Sequence, residues 1–397
     1  MKKYLFSALM LLSGVFMASC SDDNTEEQKA ADLDYTSDNA KAWCNYMGNV
    51  VRLLNTDSKN LYEAWAVDYN GTGKTYAELF KAHNSASGYT SVQSCIEEIV
   101  EKMGEIANEV GSSKIGDPYA KWTAGNKTEA LYAVESWYSW HSRDDYTNNI
   151  MSIKNAYYGT TGNTWNTQGT AAAHSFATYL AGTDIDTKVR AAIDEAAASI
   201  QAIAQPFRNN IGSTQTVAAM DACEKLQRLL GEIETDEETK EGEATNLKQY
   251  AVEHLTEEQL QNIVDNYVDN VVVPTYKDLA EKNEALYTSV NTLIANPTNA
   301  AFENACNAWL TSRQPWETSE AFLFGPVDEF GLDPNMDSWP LDQDAIVNIL
   351  KSNSWAELEW NDGDDDAKVE SAQNVRGFHT LEYLLFKDGQ PRTVPAK

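Results

Sequence analysis

Apolar residues recur along most of this chain at spacings of three and four, which is the periodicity of amphipathic helices. The clearest stripes cover residues 43–54, 96–110, 189–207 and 217–230. Sustained alternation of apolar and polar residues between hairpin turns, the pattern of half-buried strands, is absent from the sequence. Loops rich in Gly, Asn and Asp separate the stripes, so the sequence predicts an all-α protein built from four-helix-bundle-like domains.

One polar segment divides this pattern into two parts. Residues 236–246 are acidic and carry almost no core-forming side chains, which is typical of an exposed linker. We therefore predict one helical-bundle domain over residues 33–235 and a second over residues 247–397. In the second, prolines and glycines predict a long irregular loop near 312–342, followed later by a final helix over residues 367–386.

The N-terminus has the pattern of a secretion signal. Lys2 and Lys3 precede an apolar run over residues 4–17, which is too short for a membrane span. The run ends in Ala18-Ser19-Cys20, which resembles a lipobox and predicts cleavage before Cys20 and lipidation of its sulfur. An ordinary signal peptide cut elsewhere is the alternative. Residues 1–20 are thus interpreted as a lipoprotein signal peptide with its lipidated cysteine.

An acidic tether is predicted over residues 21–32. Its polar composition is typical of disorder, and it resembles the surface-export signal of some Gram-negative lipoproteins. We therefore expect an extracytoplasmic protein that is lipid-anchored to the outer membrane and faces either the periplasm or the cell surface.

Charge and cysteine content narrow the function classes. The chain carries 60 acidic and 30 basic side chains, a formal net charge of −30. It repels phosphate groups, so nucleic acid is not an expected partner. Besides Cys20, the cysteines are Cys44, Cys95, Cys223 and Cys306, and none forms a Cys-x-x-Cys pair. A structural zinc site is therefore not indicated, and we expect buried free thiols.

The strongest chemical signal lies near the C-terminus, in Gly377-Phe378-His379-Thr380-Leu381-Glu382. A histidine and a glutamate three residues apart on a helix share one face, and both are common ligands of transition metals. The neighbouring residues are largely apolar. A carboxylate there costs free energy unless it is paired, hydrogen-bonded or metal-bound. A chance pair on a core helix is the alternative interpretation of these two residues alone.

Two further stretches combine aromatic and polar residues beyond what bundle packing requires. In the first, Ser136, Ser139 and Ser142 are three apart, could line one helix face and precede Asp145. The second lies at residues 309–342 and includes Arg313, Glu320, Asp328 and Trp339. Taken alone, each stretch is equally compatible with core aromatics and solvent-facing polar residues.

The three stretches resemble the imelysin-like family. The family hallmark, Gly-x-His-x-x-Glu followed by an apolar run, is matched by residues 377–386. A second family block is matched by Ala308-Trp309, Arg313, Trp316, Glu320, Phe324, Gly325-Pro326 and Trp339-Pro340-Leu341-Asp342. A serine block is matched by Ser136, Ser139, Ser142, Asp145 and Asn148-Asn149.

The order of these blocks departs from the family pattern. In the family the serine block comes last, whereas here the hallmark lies near the C-terminus. Circular permutation is the simplest account, and helical bundles tolerate it when their termini lie close together. The resemblance then implies two helical-bundle domains with a site between them, to which both contribute.

The resemblance also implies a function. Family members are associated with iron uptake, so we expect a lipoprotein that binds a metal or a metal-containing small molecule and works with iron-uptake proteins. Iron, haem iron or another divalent metal is the implied cofactor, with His379 and Glu382 as metal ligands. The other residues implied in the site are Arg313, Glu320, Asp328, Trp339, Ser136, Ser139, Ser142, Asp145 and Gly377.

Two other functions stay open. The family was grouped with metallopeptidases, in which Glu382 would be catalytic, but a zinc peptidase usually needs a second histidine. Position 383 is Tyr, and of the remaining histidines only His141 lies in the serine block. Peptidase activity is therefore not favoured. The third function is a surface module for a non-metal ligand, in which the three stretches only hold the domains together.

Overall fold

The computed structural model describes residues 33–231, 246–361 and 363–395. The predicted signal peptide over residues 1–20, the tether over 21–32 and nearly all of the linker over 236–246 lie outside these ranges. Their interpretations therefore stay predictions.

The prediction of an all-α protein is confirmed. The first helices are α1 (Ala40–Ala66), α2 (Tyr76–Lys81), α3 (Val92–Asn108), α4 (Gly116–Thr123), α5 (Lys127–Ala133), α6 (Ser142–Tyr158), α7 (Phe176–Tyr179), α8 (Asp184–Gln201) and α9 (Thr214–Leu230). The later helices are α10 (Leu247–His254), α11 (Glu257–Tyr267), α12 (Val273–Ala295), α13 (Asn299–Glu317), α14 (Pro326–Glu329), α15 (Leu332–Asp337), α16 (Gln343–Ser352), α17 (Asp366–Gln373) and α18 (Gly377–Leu385).

Shorter elements complete the described chain. Two π-helical turns, Glu109–Lys114 and Val268–Val272, extend α3 and α11. The 3-10 turns are Ser85–Ser87, Phe207–Asn209, Glu320–Phe322 and Trp355–Leu358. Strands β1 (Phe386–Lys387) and β2 (Gln390–Pro391) form a small antiparallel hairpin directly after α18.

Local sequence explains where many of these helices begin. Capping boxes at Thr75, Ser91 and Thr256 satisfy the first free N–H groups of α2, α3 and α11. Each such cap stabilises a helix by about 1 kcal/mol. The apolar stripes then face inward, as the buried residues of α3 and α8 show.

The helices pack in two groups of four. One group contains α3, α6, α8 and α9, and the other contains α1, α12, α13 and α18. The N-terminal helix α1 therefore shares a core with helices from the C-terminal half. The division of the chain at residues 236–246 stays a prediction.

Two segments differ from the sequence-based expectation. The region expected to be irregular near 312–342 begins as helix, because α13 continues through Pro315 to Glu317. Burial of this last turn offsets the roughly 3 kcal/mol that a proline costs inside a helix. The single final helix predicted over residues 367–386 is wrong: the segment divides into α17 and α18.

The two ends of the described chain meet. Asp34 lies 3.0 Å from Arg392 Nη1 and 2.5 Å from Lys387 Nζ, and Arg392 also donates to the Leu33 carbonyl at 3.2 Å. Close termini are what circular permutation requires, although the permutation itself stays a prediction.

Two further sequence-based points concern membranes and thiols. None of the helices in the described ranges has the length and hydrophobicity needed to cross a bilayer.

All four cysteines outside the signal peptide are free thiols; Cys95, Cys223 and Cys306 are buried and Cys44 is half-buried.

Candidate functional site

The hallmark helix α18 starts where only glycine fits. Gly377 has φ of 83°, and a Cβ there would lie 2.4 Å from the Met336 carbonyl oxygen. Most side chains avoid this backbone region, and the close contact excludes the rest. Glycine therefore allows α18 to begin directly against the end of α15. This approach brings His379 beside Asp337.

Side-chain donors hold α18 in place. Tyr46 Oη donates to the Val375 carbonyl at 2.8 Å, just before the helix. Trp309 Nε1 donates to the Phe378 carbonyl and Trp43 Nε1 to the Leu384 carbonyl, both at 3.0 Å. The donors come from α1 and α13, so the second group of helices fixes both ends of α18.

His379 lies between two carboxylates. Its Nδ1 is 3.2 Å from Glu382 Oε2, its Nε2 is 3.1 Å from Asp337 Oδ1, and the ring is fully buried. Burial and the Arg313 guanidinium lower the pKa of His379, but Asp337 and Glu382 outweigh them and raise it to about 9. The ring is therefore an imidazolium at neutral pH, with both nitrogens engaged.

Asp337 connects α18 to α13. It forms an ion pair with Arg313 and accepts a hydrogen bond from Trp316 Nε1 at 2.6 Å. Burial raises the pKa of Asp337, but Arg313 and His379 hold it well below its usual range. This carboxylate therefore stays ionised at every physiological pH.

Arg313 is fully buried among acidic side chains rather than in a surface pair. Its Nη2 lies 2.5 Å from Glu317 Oε1, and its Nε lies 3.6 Å from Asp145 Oδ2. The same Nη2 is 3.3 Å from His379 Nε2. Arg313 thus brings α6, α13, α15 and α18 together at one point.

The three predicted serines have separate roles. Ser139 donates to Glu382 Oε1 from both its backbone N–H and its hydroxyl, each at 2.8 Å. Ser136 donates to Asp145 Oδ2 at 2.5 Å, and Ser142 donates to the Glu135 carbonyl at 2.5 Å. The shared helix face considered for them is wrong, because only Ser142 belongs to a helix.

The turns around Ser139 are held from outside the segment. Ser136 and Trp140 have positive φ angles of 48° and 61°, a conformation that non-glycine residues adopt only when their surroundings impose it. Gly389, in the hairpin after α18, donates its N–H to the Tyr138 carbonyl at 2.8 Å. A Cβ on Gly389 would come within 2.4 Å of the Trp140 ring.

Of the other residues singled out from the sequence, Trp339 lies beside His379, whereas Asp328 lies outside the site. Trp339 stacks edge-on against His379 with ring centroids 4.8 Å apart and donates to the Ala133 carbonyl at 3.2 Å. Asp328 does not join the site: it is exposed on α14, because Pro326 and Val327 occupy the buried face of that short helix. His141 is committed to Asp145, with Nδ1 and Oδ1 2.7 Å apart. Asp145 raises the pKa of His141 to about 9 against the effect of burial.

Three carboxylates converge beside Arg313. Ligand oxygens of Glu317, Glu320 and Asp337 lie within 4.8 Å of one another. Burial raises the pKa of Glu317 to about 8, although Arg313 opposes the shift, and raises the pKa of Glu320 well above its usual range. Within the described parts of the chain, the Glu320 side chain forms no hydrogen bond or ion pair, although the residue is only 6% exposed. We call Glu317, Glu320 and Asp337 the carboxylate cluster.

More ionisable groups surround the cluster. Burial and Asp337 raise the pKa of Asp333 to about 7. Lys114 is buried on a π-helical turn and lies 3.1 Å from Glu135 and 3.4 Å from Glu109. Single π-helical turns often occur at functional sites.

Several buried polar atoms on the segments that carry the site have no hydrogen-bond partner among the described residues. Asn149 donates its Nδ2 to Glu317 Oε2 at 2.5 Å, but its Oδ1 accepts no hydrogen bond. Tyr146 Oη, Tyr138 Oη and Thr380 Oγ1 are also buried and unpaired. Buried unpaired polar atoms are rare in native proteins, and each suggests a water, an ion or a ligand.

Sequence reasoning missed Glu317 and Asp337. Glu317 follows Arg313 at helical spacing, so extending α13 through Pro315 would have placed both on one face. Asp337 lay in a segment interpreted as irregular. The donor set is rich in oxygen, which suits hard cations such as iron, manganese, magnesium or calcium better than a structural zinc ion.

Comparison with known proteins identifies relatives of this chain. The family model described as imelysin, peptidase M75, matches residues 21–233 and 272–396. The crystal structure of an imelysin peptidase from Bacteroides ovatus is 59% identical, with coverage of 92% of this chain and 100% of that chain and a TM-score of 0.85.

Two further relatives match over shorter lengths. Iron-regulated protein A of Synechococcus elongatus is 35% identical over 129 residues, and this chain spans only 32% of that protein. The match covers 32% of this chain. A crystal structure of an iron-regulated protein A precursor from Parabacteroides distasonis is 36% identical over 44% of this chain and 50% of that chain, with a TM-score of 0.40.

Proposed function

Because the chain belongs to the imelysin family, we propose that it is an extracytoplasmic lipoprotein that binds iron on the carboxylate cluster. The observation that carries this proposal is Glu320, a buried carboxylate that forms no hydrogen bond or ion pair with any described residue and whose oxygens converge with those of Glu317 and Asp337. Buried carboxylates normally find a cation, a hydrogen-bond donor or a proton. The raised pKa values of Glu317 and Glu320 indicate that protons occupy these groups when no cation is bound.

The hallmark residues then act through Asp337. Ser139 fixes Glu382, Glu382 fixes His379, and His379 orients Asp337 through its Oδ1. Partners of this kind set the direction and basicity of a metal ligand. Metal coordination by His379 itself is the other form of the proposal, and it requires the imidazolium to lose its proton.

The identity of the cation rests on two supports. Clustered carboxylates favour hard cations, which include ferric and ferrous iron. The relative from Synechococcus elongatus is named an iron-regulated protein. A role beside the proteins of an iron-uptake system, with anchoring through Cys20, follows as part of the same proposal.

The central test is a titration of the protein with ferrous, ferric, zinc and calcium ions by calorimetry at pH 7.5. We expect iron to bind with release of protons, because cations and protons compete for Glu317 and Glu320. Glu320→Gln should lower the affinity at least about tenfold. Asp328→Asn is the matched control, because that carboxylate is exposed and should not affect binding.

A His379→Ala variant separates the two forms of the proposal. A moderate loss of affinity supports orientation of Asp337, whereas complete loss supports direct coordination. If none of the four ions binds the unmodified protein, or if Glu320→Gln binds as the unmodified protein does, the proposal is wrong.

Peptidase activity is the second candidate, because the relative from Bacteroides ovatus is named an imelysin peptidase. The local geometry opposes it: both nitrogens of His379 face carboxylates, and Arg313 lies 3.3 Å from Nε2. A broad peptide library with and without chelator tests this candidate. Chelator-sensitive cleavage that disappears in Glu382→Gln would establish it.

A further inference from the structure

A polar cleft lies against α13 and is lined by none of the residues of the carboxylate cluster. It has a volume of about 290 Å³ and lies between the loop after α6 and helices α12 and α13. Seven of its lining residues carry amide or hydroxyl groups: Asn148, Asn155, Asn163, Thr161, Thr275, Gln314 and Thr318. No function discussed so far uses this cleft.

The loop that forms one wall of the cleft is held in one shape by a buried charge. Lys154 is fully buried and donates to the carbonyls of Thr164 and Thr167 at 3.1 and 2.8 Å. Its Nζ also lies 2.9 Å from Asp194 Oδ1. Burying an ammonium group is costly unless it is paired and hydrogen-bonded, so these contacts make the loop a fixed wall.

Hydrogen bonds inside the loop fix the cleft side chain Asn163. Its Oδ1 accepts from the Thr170 N–H at 3.0 Å, and its Nδ2 donates to the Thr160 carbonyl at 3.2 Å. Asn266 Nδ2 donates to the Gly159 carbonyl at 2.8 Å and fixes the start of the loop. These hydrogen bonds within the protein therefore preform the cleft wall.

Two other amides in the cleft are free to bind a ligand. The side chains of Asn148 and Gln314 form no hydrogen bond within the described ranges, and each offers two N–H donors and a carbonyl acceptor. Among the apolar lining residues, Pro274 is half-buried and offers apolar surface to the cleft, whereas Met151 and Pro315 are buried beneath it. A ligand there meets paired donors and acceptors next to a small apolar patch.

The cleft is nearly neutral. No Lys or Arg lines it, and Asp278, its one acidic lining residue, is paired with Lys282 at 2.7 Å. A charged ligand would therefore find no complementary group. The lining residues come from helices and a loop, so the cleft offers no strand edge for a peptide backbone.

We propose that this cleft binds a neutral saccharide of one or two rings. Sugar hydroxyls both donate and accept, as the free amides do, and the C–H face of a sugar ring matches the small apolar surface of Pro274. The volume lies at the lower end of the usual range for ligand pockets, about 300–1,000 Å³, which limits the ligand to this size. This proposal is independent of the cation site.

The test uses saturation-transfer NMR and calorimetry with glucose, galactose, mannose, N-acetylglucosamine, lactose and cellobiose, and trialanine as the peptide probe. We expect at least one saccharide to bind. Its affinity should fall tenfold or more in the Asn148→Ala/Gln314→Ala double variant, while Gln215→Ala, which removes an exposed amide on α9, leaves it unchanged. Thr161→Trp should block the cleft from the loop side.

Several results would overturn the proposal. Failure of every saccharide to bind, equal binding by the double variant, or binding of trialanine alone would each do so. The amides of Asn148 and Gln314 make no internal hydrogen bond, so the double variant should keep its melting temperature. Glu320→Gln should keep its saccharide affinity, so failure of the cation proposal and failure of this one are distinguishable.

Discussion

At the scale of single residues, the site depends on which groups can be neutralised in the interior. Arg313 and His379 lie beside Asp337, whereas Glu320 forms no ion pair among the described residues and feels only the more distant charge of Lys114. Two neighbouring carboxylates of the same cluster therefore have opposite pKa shifts: that of Asp337 is lowered and that of Glu320 is raised. Such divergence in one small volume is typical of functional sites.

Gly377 gives the clearest prediction at this scale. Gly377→Ala should destabilise the protein by about 3 kcal/mol or more, because a Cβ meets the Met336 carbonyl in addition to the backbone strain. Gly182→Ala is the control: Gly182 also has φ of 83°, but nothing lies within 4 Å of its Cβ position. Its cost should be only about 1 kcal/mol. Urea unfolding measures both, and equal costs would refute the proposed role of the close contact.

At the scale of elements, the hairpin after α18 supports the site from behind. The two strands β1 and β2 bring Gly389 against the segment that carries Ser139. Ser139 in turn provides two hydrogen bonds to Glu382. The C-terminal hairpin therefore contributes to the geometry of the hallmark pair through the segment that carries Ser139.

Gly389→Ala tests this support. The new Cβ would collide with the Trp140 ring, so we expect displacement of Ser139 and an approximately tenfold loss of cation affinity, of about 1.4 kcal/mol. Gly73→Ala is the control, since Gly73 has a similar φ of 72° and open space around it. Calorimetric titration with iron measures the effect. A loss of the same size in both variants would show that the hairpin does not position the site.

At the scale of the whole molecule, the site joins the two groups of helices. Asp145 and Asn149 come from α6, whereas Arg313 and Glu317 come from α13. Both groups carry many acidic residues, and the net charge of the chain is −30. Removing negative charge from the interior by protons or by a cation therefore stabilises the folded chain as a whole.

The stability of the folded protein should depend on pH, because buried groups of the site have raised pKa values. Glu317 and His379 have folded pKa values of about 8 and 9, above their ordinary values of 4.5 and 6.5. A group whose pKa is higher in the folded state than in the unfolded state stabilises the fold at low pH. This contribution to the free energy of unfolding is lost as the pH rises through the folded-state pKa. We expect the metal-free protein to lose about 1–2 kcal/mol per pH unit between pH 7 and 8.

Urea unfolding in the presence of chelator, between pH 6 and 9.5, measures this loss. Glu317→Gln should flatten the profile, and added iron should flatten it further if the cation replaces the protons. Stability that rises with pH across this range would contradict the assigned protonation states.

The lipid anchor predicted from the sequence is also tested on the whole chain. If residues 1–20 are a lipoprotein signal, the full-length protein should sediment with membranes and take up labelled palmitate. Cys20→Ala should abolish the labelling and release the protein into the soluble fraction. Labelling that persists in this variant would show that the lipidated residue lies elsewhere.

The sequence alone determined the helical class and the family resemblance, and it singled out His379, Glu382, Arg313 and Glu320 as candidate site residues. Periodicity and short motifs are local properties, so they survive without coordinates. The sequence could not show that Asp328 lies outside the site, because the buried face of a four-residue helix depends on the elements that the helix packs against.

Only the tertiary structure decided the site's contacts. The pairing of His379 with Asp337, the convergence of Glu320 with Asp337 and the support from Gly389 join segments that are separated in sequence. Burial sets the charge of each group there, and burial is a property of the packed chain rather than of any segment.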